Sequence, residues 1–242
     1  MECELLVVIP VYNEERCLDA VLREWSSELD RSGIDYRILL LDDGSSDGTP
    51  AIIERWVRGS AGGRIQSKRH ENIGHGQTCL LGYRHACWSG APWVFQIDSD
   101  GQCDPAHFPA VWAERSKCDV VYGRRAVRRD GWKRRLSSAL VRLVVRLASG
   151  AGCVDANVPY RLMSTTKLLS LVNSIPTQFD LANIALAVQM KRAGRRETSV
   201  PIVFRPRAGG DPSVPLVRFA GKALELFGQL LLLPRPVLRD AA

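Results

Sequence analysis

Four short strand-like runs in the first half of this chain each lead into a cluster of polar and small residues. Residues 5–9 lead into Pro10-Val11-Tyr12-Asn13-Glu14-Glu15, and residues 37–41 into Asp42-Asp43-Gly44-Ser45-Ser46-Asp47-Gly48-Thr49. The shorter run 65–69 leads towards Asn72-Ile73-Gly74-His75-Gly76, and residues 93–97 into Asp98-Ser99-Asp100-Gly101-Gln102. Apolar runs such as 5–9 and 37–41 are the pattern of strands buried on both faces, while 65–69 reads as a shorter third strand and 93–97 as a fourth. Between them the spacing predicts helices over about 14–29, where Leu18, Val21, Leu22 and Trp25 share a face, and over 49–56, 74–88 and 105–114. A fifth strand is expected at 120–122. Alternation of this kind implies an α/β fold with a mostly parallel sheet and right-handed crossovers. Such sheets bind ligands beyond the carboxyl ends of their strands, where the polar clusters fall. The second half is less regular: 155–163 reads as loop or strand, 181–193 as helix, 197–204 as strand, and 205–213 as a Gly-, Pro- and Arg-rich segment.

Asp98 and Asp100, at i and i+2 after a buried strand, can converge on one divalent cation. Oxygen ligands of this kind suit Mg²⁺ or Mn²⁺ and leave positions for diphosphate oxygens. Pro10–Glu15 also reads as a strand-to-helix turn, with Asn13 as N-cap and Glu14 and Glu15 favouring the helix dipole. An acidic side chain from Asp42 or Asp43 is placed to accept hydrogen bonds from a base or ribose. No G-x-G-x-x-G follows the first strand and no G-x-x-x-x-G-K-[ST] occurs, which argues against an NAD-binding domain and a P-loop NTPase.

The four clusters, in this order and spacing, resemble the family 2 glycosyltransferases of the GT-A fold. Within that family the chain is similar to the polyprenyl-phosphate glycosyltransferase branch typified by dolichol-phosphate mannosyltransferase. Gln102, Gly123-Arg124-Arg125, Gly131-Trp132, Pro159-Tyr160-Arg161-Leu162-Met163, Val200-Pro201-Ile202 and Arg207-Ala208-Gly209-Gly210 with Ser213 carry that likeness. The resemblance implies that Pro10, Tyr12 and Glu14 line the nucleotide pocket and that Asp42 or Asp43 contacts base or ribose. It implies Asp98 near the donor's ribose and phosphates, Asp100 and Gln102 on the metal, and Arg124, Arg135 and Arg161 on the acceptor's phosphate. The chain departs from the family where Gly-Ser-Arg becomes Gly123-Arg124-Arg125 and where Pro159 replaces the usual Gly. It departs again at Gly209-Gly210-Asp211-Pro212-Ser213, where relatives often carry a basic residue after the Ser. The expected reaction is inverting transfer from a GDP- or UDP-linked sugar to a polyprenyl or dolichyl phosphate. The alternatives are a saccharide or small-molecule hydroxyl acceptor, with Asp180 as base, and a non-catalytic nucleotide-sugar-binding subunit.

The chain has 242 residues, enough for one such domain over 1–215, followed by a C-terminal amphipathic helix and tail over 216–242. Lys and Arg number 33 against 26 Asp and Glu, a net +7 that suits phosphates, nucleic acid or an anionic bilayer. Charge alone speaks for nucleic acid, and none is expected as partner. In residues 132–147, Leu136, Leu140, Leu143, Val144 and Leu147 share one helical face and Arg135, Arg142 and Arg146 another. That is the pattern of an interfacial helix over 131–149. The apolar stretch 216–233 is interrupted by Arg218, Lys222 and Glu225, short of the roughly 18–20 uninterrupted residues a span needs. The seven cysteines are scattered without a C-x-x-C pair, and the first residues read straight into a strand, so reduced thiols and no signal peptide are expected. The expected location is cytoplasmic, peripheral at the inner face of a membrane. A membrane-protein partner or a second copy of the chain would be compatible with it.

Overall fold

A computed structural model describes residues 3–126, 143, 146–147, 150, 156–177, 179, 181–206 and 228–236. Its strands are β1 (Leu5–Val11), β2 (Tyr36–Asp42), β3 (Ile65–Arg69), β4 (Trp93–Ile97), β5 (Val120–Arg125), β6 (Tyr160–Ser164) and β7 (Glu197–Ile202). The helices are α1 (Leu18–Arg31), α2 (Thr49–Gly59), α3 (His75–Trp88), α4 (Phe108–Ala113), α5 (Thr165–Asn173) and α6 (Ala182–Arg192). One seven-stranded sheet runs in the order β3-β2-β1-β4-β6-β5-β7. All its pairings are parallel except those of β6, which runs antiparallel to both β4 and β5. The expected α/β architecture is therefore present, with one reversed strand inside the sheet.

Register sets the strand ends level with one another. Val11 pairs with Asp42 and Asp42 with Arg69, so the first three strands end together. β1 is buried along its whole length, as its apolar run requires. On one face Trp25 of α1 packs against Phe95 and Tyr160 of the sheet and Phe108 of α4, at centroid distances of 5.5, 5.9 and 6.1 Å. On the other face α3 lies directly on β1. Gly82 permits that approach, because a Cβ there would meet Val8 Cγ1 at 2.3 Å and Leu41 Cδ1 at 2.9 Å.

Several local expectations are corrected. α1 begins at Leu18 rather than near Glu14, with Cys17 at the N-cap. Asn13 is no cap: it takes a left-handed φ of 53°, and its Oδ1 accepts from Ser46 N at 2.8 Å. The ambiguous segment 155–163 contributes β6 from Tyr160, and β7 stops at Ile202. Helix α5 had no expected counterpart. No helix among the described residues is long and apolar enough to cross a membrane. Most of 131–149, all of 207–227, and the positions Arg135 and Asp180 lie outside the described residues.

Candidate active site

The loops after β1 and β2 are laced together by hydrogen bonds between backbone and side chain. Asn13 N donates to Ser45 Oγ at 3.0 Å and Glu14 N to Thr49 Oγ1 at 2.8 Å. Glu15 N donates to Asp47 Oδ2 at 3.2 Å, while Gly48 N returns a bond to Glu15 Oε2 at 2.7 Å. This reciprocal pattern, from short polar side chains that favour turns, makes the two loops one rigid rim. The acidic pair after β2 is spent largely on the same task. Asp42 Oδ1 accepts from Ser45 N at 2.8 Å, and its Oδ2 lies 3.3 Å from Arg69 Nε. Asp43 accepts from Ile73 N at 2.8 Å and Gly74 N at 3.0 Å, which binds the loop before α3 to the rim. Gly44 is required there: its φ is 74°, and a Cβ would meet Asn72 N at 2.8 Å.

Pro10 is buried in β1, whereas Tyr12 is 48% exposed and offers an open ring at the strand end. Glu14 is half-buried, and its Oε2 accepts from Cys17 Sγ at 2.9 Å. The same thiol lies 3.3 Å from the Ser99 carbonyl, joining the rim to the D-x-D turn.

At the end of β4, Asp98 and Asp100 flank buried Ser99 and both remain partly accessible. Asp100 Oδ1 accepts from Gln102 N at 3.0 Å, which sets the orientation of its carboxylate. Gln102 is held in turn by Arg205: Arg205 N donates to Gln102 O at 3.0 Å, and Gln102 Nε2 to Arg205 O at 3.3 Å. The Arg205 side chain pairs with Asp104 at 2.9 Å and Glu24 at 2.5 Å. Burial pushes the Asp98 carboxyl above its usual range, and Asp100 adds to that; His75, the Gln96 amide and Arg125 oppose it. His75 Nε2 lies 3.7 Å from Asp98 Oδ1. Cys79 first, then Asp98 and Asp43, push this exposed imidazole up to about 10.

Among the described residues no cluster of three or more His, Cys, Asp or Glu side chains is gathered as a metal cage. Asp100 and Gln102 fit the other arrangement, in which a hard cation takes few protein oxygens and completes its shell with phosphates and water. A cavity of about 500 Å³ between α1 and α2, lined by Asp19, Tyr36, Arg55 and Trp56, contains none of these residues.

The three arginines assigned to an acceptor phosphate fare differently. Arg124 is exposed at the end of β5, while Arg135 lies outside the described residues. Arg161 is fully buried. Its guanidinium donates to the carbonyls of Val158, Ala156 and Asn183 at 2.8–3.2 Å and lies over the Tyr122 ring. The expectation that it meets a phosphate is therefore corrected: the group is occupied by backbone and closed to solvent. Four residues around this turn were assigned no role from sequence, namely His75, Gln96, Arg125 and Arg205. For Arg125 a signal was available, since it occupies the Arg position of the family's Gly-Ser-Arg and strand alternation separates it from Arg124.

Residues 6–179 match the family model described as Glycosyl transferase family 2. An undecaprenyl-phosphate 4-deoxy-4-formamido-L-arabinose transferase from Edwardsiella ictaluri (strain 93-146) is 25% identical over 221 residues, 91% of this chain. The chain spans 66% of that relative's length. Among solved structures, glucosyl-3-phosphoglycerate synthase from Mycobacterium tuberculosis, in complex with Mn²⁺, UDP and phosphoglyceric acid, is similar in fold. It aligns at TM-score 0.68 and 18% identity, covering 95% of this chain and 78% of that one. A further structure described as a mycobacterial protein aligns at TM-score 0.65 and 21% identity, with 95% and 74% covered.

Proposed function

Because the chain belongs to glycosyl transferase family 2, we propose that it moves a sugar from a nucleoside-diphosphate sugar to a polyprenyl phosphate at a membrane surface. The observation that carries this reading is the end of β4, where Asp98 and Asp100 stand together beside a Gln102 held at both its amide and its backbone. The curated relative's name supports a lipid-phosphate acceptor, and the UDP and Mn²⁺ of the structural neighbour support a metal-assisted donor site.

In this mechanism Tyr12 and the β1 rim receive the nucleoside, and Asp98 stands near the ribose and phosphates. Asp100 and Gln102 would hold Mg²⁺ or Mn²⁺, which would supply positive charge against the departing diphosphate. Arg124 and the basic segment after β5 receive the acceptor phosphate, for which guanidinium groups are suited. A phosphate acceptor is already a nucleophile near neutral pH, so alignment with the anomeric carbon is the protein's main task, and attack from the opposite face inverts that carbon. Contact with the bilayer would come from 131–149, whose apolar and Arg faces suit an anionic surface.

The test is transfer of label from GDP-mannose and UDP-glucose to polyprenyl phosphate with Mg²⁺ or Mn²⁺, comparing wild type with Asp100→Ala. Label should enter the lipid phase and fall by about 100-fold or more in the variant. Transfer undiminished by excess chelator or by Asp100→Ala would remove the metal from the mechanism. Donor hydrolysis without lipid labelling would move the acceptor to a hydroxyl, with Asp180 as the base to examine.

A further inference from the structure

Four of the five residues of β4 are apolar; the exception, Gln96, is fully buried. Its Nε2 donates to Asp98 Oδ1 at 3.0 Å. On its other side, Oε1 accepts from Asn183 Nδ2 at 3.3 Å and lies 3.2 Å from Tyr83 Oη. Tyr83 Oη gives its proton to Asn183 Oδ1, the shorter contact at 2.6 Å. Tyr83 comes from α3 and Asn183 from α6, and both are buried. Arg161 Nη1 donates to the Asn183 carbonyl at 3.2 Å, and Gln77 Nε2 to the Phe179 carbonyl at 3.1 Å.

The network has one consistent direction. The Gln96 NH₂ faces Asp98 Oδ1, so the Gln96 carbonyl faces Asn183. Asn183 then presents its NH₂ to Gln96 and its carbonyl to Tyr83. Each buried amide has both ends engaged, which a polar group in such a core needs if it is not to destabilise the fold. An apolar side chain would fill this part of β4 more simply. What the amide adds is a defined orientation for the carboxylate two residues on.

We infer that Gln96 is a positioning residue for Asp98, and that Tyr83 and Asn183 hold it in register with the start of α6. This rests on the reading of Asp98 as a donor-site residue. The consequence is that donor affinity depends on side chains that never touch the donor. It also joins the donor side to the chain just before α6, where Asp180 lies in sequence.

The experiment is calorimetric binding of UDP and GDP in Mn²⁺ to four proteins: wild type, Gln96→Met, Asp98→Ala and the double variant, each with a thermal melt. Gln96→Met should weaken nucleotide binding about tenfold, as loss of an orienting partner does elsewhere. In the Asp98→Ala background it should cost nothing further, because the acceptor it orients is gone. Tyr83→Phe removes one hydroxyl and serves if Gln96→Met fails to fold; it should weaken binding about threefold, again only while Asp98 is present. Equal losses with and without Asp98, or full binding by a folded Gln96→Met, would overturn the inference alone. A wild-type protein that binds neither nucleotide would overturn the transfer reading and this inference with it.

Discussion

Arg161 carries its charge in the core, and among the described residues its partners are backbone carbonyls rather than carboxylates. Three carbonyl-bearing residues, Ala156, Val158 and Asn183, depend on one planar group. Removing it by Arg161→Met orphans acceptors that each cost about 1–3 kcal/mol when buried. A total loss of at least about 3 kcal/mol, read as a melting temperature lower by roughly 6–12 °C, is the expected outcome. Arg161→Lys should restore little of it, since an ammonium cannot span a fork of carbonyls; full recovery by Lys would refute the bracing role. The same residue shows why sequence placed it wrongly. Motif position identified Arg161 as important, but burial is a property of the surrounding strands, and nothing in Pro159–Met163 distinguishes an arginine turned inward from one facing a ligand.

Helices α1 and α2 are joined at Asp19, which accepts from Trp56 Nε1 at 2.9 Å and pairs with Arg55 and with Arg23 at 2.5 and 2.7 Å. The Trp56 hydrogen bond, then Arg55, lowers the Asp19 carboxyl from its ordinary 3.8. A depressed acid stabilises the fold above its unfolded value and loses that contribution as pH falls through the lower, folded one. Asp19→Asn should therefore cost about 0.5–1 kcal/mol at pH 7, a discount appropriate to a partly exposed group. The difference from wild type should shrink in melts taken progressively below pH 3.8; a constant difference across pH would show that the charge is irrelevant. At this scale the sequence was legible where apolar periodicity ruled, as in β1, β2, β4 and α3. It was least legible where side chains compete with backbone for hydrogen bonds. Asn13 and Glu14 carry helix-start signals, yet the bonds to Ser45 and Thr49, more than thirty residues away, hold this stretch outside the helix.

Across the whole molecule the polar ends of β1, β2, β3 and β4 lie at one end of the sheet, and that placement was readable from the alternation of runs and clusters. The reversal of β6 was not, because strand direction depends on pairing partners distant in sequence. The net charge of +7 adds a prediction at this scale. Binding to vesicles containing anionic lipid should be strong at low salt and decline as the screening length falls towards about 3 Å. Retention on zwitterionic vesicles at equal strength would instead assign the contact to apolar insertion. The reversed strand has a larger consequence. Since β5 ends and β6 begins at the same end of the sheet as the D-x-D turn, the intervening chain leaves the sheet and returns to it at that one end. Its length and composition are thus topologically independent of the strands that carry the donor site. An experimenter should therefore be able to exchange that excursion as a module while the seven-stranded sheet is retained.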